Sequence, residues 1–437
     1  MIDLSGHMQR IESQHPMVAS GKITDIVGLT IEATGPPMQV GDLCYVESPR
    51  SDTPIPVEVV GFRREKILLM PLGTMNGVGP GCRLRPTHQA PTVAVGPGLI
   101  GRVIGSNGLP IDNDTPLDYV ARVPLRADPP PPMSRQRILT PITTGVRAID
   151  ACLTCGRGQR MGIMSGSGVG KSKLIGMISR NTDADLNVIA LIGERGREVR
   201  EFIEVDLGNE GLSRSIVVVA TSDEPALLRL NGAFIATAIA EWFREQGLNV
   251  MLIMDSVSRV AMAQREVGLA VGEPPTTRGY PPSVYAMLPQ LLERAGTSAK
   301  GSITGFYAVL VEADDLNDPV GDTVRSILDG HIVLSRDLAG KGHYPPIELL
   351  GSISRVMNEV TDENHRRWAF RFRELLAAYR DAEDLINIGA YVPGSNSEID
   401  LAIQLMPDFN AFLRQGLNEE MTLPETIHRL SKLTENR

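Results

Sequence analysis

The stretch from Met161 to Ser172 limits what this chain can fold into more than any other stretch. An apolar run breaks there into Ser165, Gly166, Ser167, Gly168, Val169, Gly170, Lys171 and Ser172, and an amphipathic run follows. Three spaced glycines free the backbone to turn its N–H groups towards one anion, and a following helix presents its positive end to the same point. The pattern predicts a phosphate-binding P-loop between a strand and a helix.

The loop residues have separate chemical tasks in this interpretation. Lys171 is placed to reach the β- and γ-phosphates of a bound nucleotide, and the hydroxyl of Ser172 is placed to hold Mg²⁺. The strict P-loop pattern has glycine at the position of Ser165. The alternative is a glycine-rich turn in front of an ordinary helix.

Length and charge limit the classes of function. A chain of 437 residues is long enough for two or three domains, each with its own core. The formal net charge of -9 and the aromatic content of 4% argue against a protein that grips DNA or RNA. We therefore expect no nucleic-acid partner.

Targeting and cysteine signals favour a cytoplasmic protein. The first residues lack the basic and apolar regions of a signal peptide, and no run reaches the roughly 18 apolar residues of a membrane span. Cys152 and Cys155 form a Cys-x-x-Cys pair. Because no second Cys or His pair accompanies it, we expect reduced thiols and not a metal or redox site.

Hydrophobic periodicity first defines two amino-terminal segments. Residues 1–20 form a docking segment in which Leu4, Met8 and Ile11 have helical spacing, although an ordinary frayed terminus fits as well. Residues 21–97 contain short apolar runs separated by Gly and Pro, without room for helices between them. This second segment is predicted to be a small antiparallel β-barrel or sandwich.

The rest of the chain predicts an α/β domain followed by helices. In residues 98–357, unbroken apolar runs alternate with helical segments, as in a RecA-like P-loop domain with a mainly parallel sheet. Residues 358–437 have helical periodicity, with Trp368, Phe372 and Leu376 along one face. Thr422-Leu-Pro-Glu425 predicts a capping box that opens the last helix.

Two carboxylates end predicted strands beside the phosphate site. Asp255 follows the apolar run from Val250, the position from which an aspartate reaches the shell of a bound Mg²⁺. It could instead cap the next helix. Glu194 ends another such run, where it could orient or deprotonate an attacking water, or belong to a salt-bridge cluster with Arg195 and Arg197.

With these features the chain resembles the flagellar and type III secretion export ATPases, relatives of the catalytic subunit of rotary ATP synthases. The resemblance covers nearly the whole chain, including Gly193-Glu-Arg-Gly-Arg-Glu198 and Leu252-Ile-Met-Asp-Ser-Val-Ser-Arg259. It implies hydrolysis of ATP with Mg²⁺, with Glu194 as the carboxylate that polarises water and Arg195 as a phosphate or transition-state contact. In that family an alanine commonly stands where this chain has Ser165, so the departure from the strict pattern loses weight.

The segment from His343 to Arg355 adds two residues by the same resemblance. Tyr344 resembles the aromatic residue that stacks on adenine, although its own context fits a packed loop aromatic equally well. Arg355 resembles the arginine finger that enters a neighbouring subunit's site. The implied assembly is a homohexameric ring in which the loop from Gly268 to Pro282 faces the central pore, with a plain surface loop as the alternative.

The function implied by the resemblance is to energise flagellar protein export at the cytoplasmic side of the inner membrane. Implied partners are a stator-like negative regulator, a coiled-coil stalk protein, export chaperones with their cargo, and the membrane export gate. The stretches starting at Ala261 and Ile388 resemble the flagellar branch more than the virulence type III secretion branch. Two alternatives are a non-hydrolysing nucleotide-binding subunit of a rotary ATPase, which Glu194 argues against, and a ring-shaped RNA translocase, which the acidic balance argues against.

Overall fold

The computed structural model describes residues 19–51, 53–113, 115–311 and 318–435. The chain divides into two compact units. Among the described residues, the first unit contains those up to Pro91 together with Pro225–Leu228 and Glu266–Pro274, and the second contains the remainder. The predicted amino-terminal helix around Leu4, Met8 and Ile11 lies outside the described residues.

A closed six-stranded barrel makes up most of the first unit. Its strands are Gly21–Val27 (β1), Thr30–Thr34 (β2), Leu43–Glu47 (β3), Ile55–Arg63 (β4), Lys66–Pro71 (β5) and Arg83–Pro86 (β6). Neighbours pair antiparallel in the order β1, β2, β5, β4, β3, β6, as the short connections require. The pairing of β1 with β6 closes the ring, which decides between the two predicted architectures in favour of the barrel.

Burial alternates along β3 and β6, whereas β2 and β5 are buried along almost all of their length. The interior is a cluster of apolar side chains that includes Ile23, Ile31, Val46, Val57 and Leu84. The two alternating strands have the burial period that is typical of a half-buried antiparallel sheet.

A mainly parallel sheet forms the centre of the second unit. The unit contains Thr92–Val95 (β7), Val103–Gly105 (β8), Ala121–Pro124 (β9), Pro141–Ile142 (β10), Cys155–Gly156 (β11), Arg160–Ser165 (β12), Leu186–Glu194 (β13), Ser215–Thr221 (β14), Asn249–Asp255 (β15), Gly296–Thr297 (β16), Ser302–Leu310 (β17), Gly330–Leu334 (β18) and Ile347–Ser354 (β19). The sheet order is β19, β18, β12, β17, β15, β13, β14, β8, with β16 added beside β17. Only β19 and β16 pair antiparallel among these strands of the described residues. The predicted mainly parallel fold is confirmed.

The short strands outside this sheet form two small ribbons. β7 pairs with β9, and β10 pairs with β11, both antiparallel. The segment predicted to form the barrel domain extends to residue 97 and so includes β7, but β7 and its partner β9 both lie in the second unit.

Helices flank the sheet and end the chain. They span Arg147–Cys152 (α1), Lys171–Asn181 (α2), Gly196–Glu201 (α3), Gly208–Ser213 (α4), Ala226–Glu245 (α5), Val257–Val271 (α6), Pro282–Leu292 (α7), Pro319–Ile327 (α8), Arg336–Gly340 (α9), Met357–Val360 (α10), Glu363–Asn387 (α11), Ser397–Leu413 (α12) and Leu423–Thr434 (α13). A π-helical turn, Phe202–Leu207, joins α3 to α4. Within the described ranges, every helix is too short or too polar to span a bilayer.

The carboxyl-terminal helices pack through the apolar face that the sequence predicts. Phe372 of α11 is buried and stacks on Phe409 of α12, with ring centroids 4.1 Å apart. Helix α13 begins with the predicted capping box, in which the Thr422 hydroxyl accepts from the backbone N–H of Glu425 and the Glu425 carboxylate accepts from the N–H of Thr422. This pairing satisfies two backbone N–H groups that would otherwise lack a hydrogen-bond partner at the start of the helix.

Candidate active site

The predicted P-loop connects β12 to α2 and lines a cleft of about 540 Å³. Gly168 and Gly170 have φ angles of 76° and 103°, a left-handed conformation that glycine adopts without the strain of a side chain. The spacing of glycines that predicted the loop therefore has a backbone cause. Six of the eight predicted loop residues line the cleft: Gly166, Ser167, Gly168, Gly170, Lys171 and Ser172.

The other two predicted loop residues turn away from the cleft. Val169 is buried in the apolar core, so it can contact a ligand only through its backbone. Ser165 is also buried, and its hydroxyl has no hydrogen-bond partner among the described residues. Both side chains belong to the protein interior.

Lys171 joins the two predicted carboxylates. Its ammonium forms an ion pair with the Asp255 carboxylate, and it lies 3.5 Å from Oε1 of Glu194. Asp255 ends β15 and Glu194 ends β13, which are neighbouring parallel strands, so their carboxyl ends reach the same edge of the sheet. The structure therefore brings these three predicted residues together.

Burial and neighbouring charges shift the pKa values of Lys171 and Glu194. Burial alone would lower the pKa of Lys171, but the charges of Asp255 and Glu194 raise it above its ordinary value. Burial raises the pKa of the Glu194 carboxyl, and the charge of Asp255 adds to the rise while Lys171 opposes it. Lys171 thus remains charged, and Glu194 becomes a better proton acceptor than an exposed glutamate.

Arg195 lies at the rim of the cleft. Its side chain is largely exposed, and Nη1 donates to Oε1 of Glu198 over 3.4 Å. A guanidinium held this loosely is free to bind an anion in the cleft, because an exposed ion pair contributes little energy.

Arg259 also lines the cleft. The sequence predicts no role for it, although it ends the stretch Leu252-Ile-Met-Asp-Ser-Val-Ser-Arg259 that resembles the export ATPases. It follows Asp255 by four residues, in the first turn of α6, which places it beside the same strand end. A Cβ atom on Gly193 would lie 2.9 Å from Cβ of Arg259, so the glycine lets the arginine stem pass close to the strand. Its spacing from Asp255 was the signal that could have identified it.

An ion pair that the sequence did not predict lies beside the first turn of α2. Nζ of Lys173 lies 2.7 Å from Oδ1 of Asp206, whose carboxylate is nearly buried in the π-helical turn. Both residues line the cleft. The π-helical turn carries no sequence signature, so this pair was not predictable from spacing.

Tyr344 and Arg355 occupy different places relative to the loop. A Cβ atom on Gly170 would lie 3.5 Å from Cε1 of Tyr344, so the tyrosine ring lies against the P-loop with about half of its surface exposed. Arg355 follows β19 and is exposed, and it does not line the cleft. In the described part of the chain its side chain makes no ion pair, while its backbone N–H donates to the carbonyl of Asp329.

The chain matches known proteins over most of its length. Residues 145–354 match the nucleotide-binding domain of the ATP synthase alpha/beta family, and residues 361–432 match the C-terminal domain of the type III secretion ATPase EscN. The chain is 56% identical over 417 residues to the flagellum-specific ATP synthase of Bacillus subtilis, with 95% of each protein covered.

Two solved structures of a type III secretion ATPase are also similar to this chain. The assembled ATPase EscN of the type III secretion system of enteropathogenic E. coli has a TM-score of 0.90 and 46% identity, covering 95% of this chain and all of that chain (100%). EscN in complex with its central stalk EscO has a TM-score of 0.88 and 45% identity, with the same coverage of 95% and 100%. The chain therefore belongs to the family of flagellum-specific ATP synthases and type III secretion system ATPases.

Proposed function

We propose that this chain binds and hydrolyses Mg-ATP and thereby energises flagellar protein export. The observation that carries the proposal is the meeting of Lys171, Asp255 and Glu194 at the edge of the cleft that the P-loop lines. One cation for phosphate, one carboxylate for a metal and one for water are the parts that phosphoryl transfer to water requires.

Glu194 is proposed as the residue that orients and deprotonates the attacking water. Its side chain is one-fifth exposed, so a water molecule can reach it from the cleft. Its raised pKa favours proton acceptance. A non-hydrolysing subunit has no need of a carboxylate here, which speaks against that alternative.

Ser172 and Asp255 fit a magnesium ion. Both supply hard oxygen donors, which Mg²⁺ prefers, and two protein ligands suffice because phosphate oxygens and water complete its shell. Ser172 lines the cleft, and Asp255 ends the strand beside it. When bound, Mg²⁺ offsets negative charge on the β- and γ-phosphate oxygens.

The cationic side chains are proposed to bind phosphate. The loop backbone and Lys171 would hold the β- and γ-phosphates, and Arg195 and Arg259 line the same cleft and would stabilise the charge that develops on the transferred group. Tyr344, whose ring lies against Gly170, would stack on the nucleobase.

Arg355 is proposed to act in the site of a neighbouring subunit. It is exposed and lies outside its own chain's cleft, as a residue acting across an interface should. The proposed assembly is a homohexameric ring bound to a coiled-coil stalk, supported by the structures of assembled EscN and of EscN with its central stalk EscO. A stator-like negative regulator, export chaperones with cargo, and the export gate at the cytoplasmic side of the membrane complete the proposal.

The flagellar setting is favoured by the 56% identity to the flagellum-specific enzyme of Bacillus subtilis, although other flagellum-specific relatives and type III secretion ATPases overlap at 45–48% identity. The EscN match makes a virulence secretion system the second candidate. A pull-down of the full-length chain from its source cell distinguishes the two. Recovery of flagellar export components supports the proposal, and recovery of injectisome components would replace it.

The catalytic role is tested by Glu194→Gln. The variant should bind ATP with unchanged affinity and lose turnover by about 10²–10⁴-fold, the usual contribution of a general base. Glu201→Gln is the matched control, because Glu201 lines the same cleft without an ion pair to Lys171 in the described residues, and it should keep its turnover. Equal loss in both variants, or none in Glu194→Gln, would remove Glu194 from the mechanism.

A further inference from the structure

Arg147 anchors the segment that joins the last two helices. This joint segment, Arg414–Glu419, lies between α12 and α13. Arg147 begins α1 and is buried, and its Nε donates to the carbonyl of Phe412 over 2.7 Å. Its terminal nitrogens contact the carbonyl of Arg414 and the carboxylate of Glu419. One buried guanidinium thus fixes both ends of the joint segment.

Gln415, in the joint segment, is buried, and its side-chain amide makes three hydrogen bonds within the protein. Its Nε2 donates to the carbonyls of Gly145 and Glu419, at 2.7 and 2.9 Å, and its Oε1 accepts from the backbone N–H of Arg147 at 2.9 Å. Both donors and one acceptor position are therefore occupied. The side chain has no donor left with which to bind a ligand.

The backbone of Gln415 reaches the residue proposed to contact the nucleobase. Its N–H donates to the carbonyl of Tyr344 over 2.9 Å. On the other side of the joint segment, Nη2 of Arg180 in α2 donates to the carbonyl of Leu417 over 2.6 Å. Because α2 begins with Lys171, the joint segment is bonded both to the P-loop helix and to Tyr344.

We propose that Gln415, locked by Arg147, is a positioning residue that holds Tyr344 against the phosphate loop and links nucleotide binding to the carboxyl-terminal helices. The inference rests on the proposed function, because it takes Tyr344 to contact the nucleobase. Gln415 acts only through Tyr344 and does not touch the nucleotide. Loosening the joint segment therefore weakens nucleotide binding without removing any group that binds phosphate.

A double-mutant cycle on the full-length chain tests this coupling. The measured quantity is the Kd of a fluorescent, non-hydrolysable ATP analogue with Mg²⁺. Tyr344→Ala should weaken binding about tenfold, within the range for loss of one aromatic stack on a base. Gln415→Met keeps the length of the side chain and removes its amide, and it should weaken binding about threefold to tenfold. The double variant should bind no more weakly than Tyr344→Ala alone, because the two residues act in one chain of contacts.

Two further variants keep the test decisive. Asn418→Ala changes an exposed residue of the same joint segment and should leave Kd unchanged. If Gln415→Met fails to fold, Arg147→Lys takes its place in the cycle, because lysine keeps the charge opposite Glu419 and loses the fork that holds two carbonyls.

The outcomes separate this inference from the proposed function. Additive losses in the double variant, or an unchanged Kd for Gln415→Met, would show that Gln415 does not act through Tyr344. An unchanged Kd for Tyr344→Ala would overturn both the inference and the proposed base contact. Loss of binding in Lys171→Ala would still support a nucleotide site in that case, whereas retained binding there would overturn the site itself.

Discussion

At the scale of single residues, the pKa of Glu194 sets the pH range in which its carboxylate is ionised and can accept a proton. Burial is the largest cause of its raised pKa, the charge of Asp255 comes next, and Glu198 adds a smaller contribution in the same direction. Glu198→Gln removes a negative neighbour, so the pKa of Glu194 should fall. The acid limb of kcat/KM, which reports the free enzyme, should therefore move to lower pH in this variant.

The comparison is made against wild type and Glu201→Gln over the same pH range. Glu201 lies in the cleft but is not among the causes of the shift at Glu194, so its variant should keep the wild-type limb. A limb that moves to higher pH in Glu198→Gln would contradict the assignment of Glu194 as the base.

At the scale of elements, α2 packs directly against the backbone of the π-helical turn. A Cβ atom on Gly176 would lie 2.8 Å from the carbonyl oxygen of Asp206, so only glycine allows this approach. Gly176→Ala should lower the free energy of unfolding by about 1–3 kcal/mol, the usual cost of overpacking. Chemical denaturation followed by circular dichroism measures the change.

Gly340→Ala is the matched control, because Gly340 is also helical and a Cβ atom there meets open space. Alanine is the better helix former by about 1 kcal/mol at most, so this variant should be neutral or slightly more stable. Equal destabilisation by the two substitutions would mean that helix α2 does not depend on the close approach at Gly176.

At the scale of the whole molecule, the proposed arginine finger makes hydrolysis depend on assembly. Lys171→Ala subunits keep Arg355, and Arg355→Ala subunits keep Lys171. Each variant alone should be nearly inactive, since an arginine finger contributes about 10³–10⁵-fold in rate. In a random equal mixture about one interface in four pairs both intact residues, so part of the turnover should return.

The mixing experiment is scored by phosphate release at constant total protein. Each variant mixed with itself is the control, and ring formation is checked by size-exclusion chromatography with light scattering. Rings that form without any recovery of turnover would place the action of Arg355 within its own subunit.

The amino-acid sequence alone was enough to predict the parts that depend on neighbouring residues. Gly168 and Gly170 have positive φ angles, which is why the spacing of glycines could predict a tight loop between β12 and α2. Strand and helix periodicity placed Glu194 and Asp255 at strand ends, and the capping box at Thr422 was readable from four residues. These features are local because backbone sterics and side-chain alternation act over a few residues.

Which distant parts of the chain meet is visible only in the tertiary structure. The closure of the barrel depends on β1 pairing with β6, and the contact of Lys171 with both carboxylates depends on the strand order of the sheet. The hydrogen bond from the backbone N–H of Gln415 to the carbonyl of Tyr344 joins two distant connecting segments, and neither local sequence contains a pattern that predicts it. Such contacts follow from the packing of whole elements into one core, and that packing is a property of the complete chain.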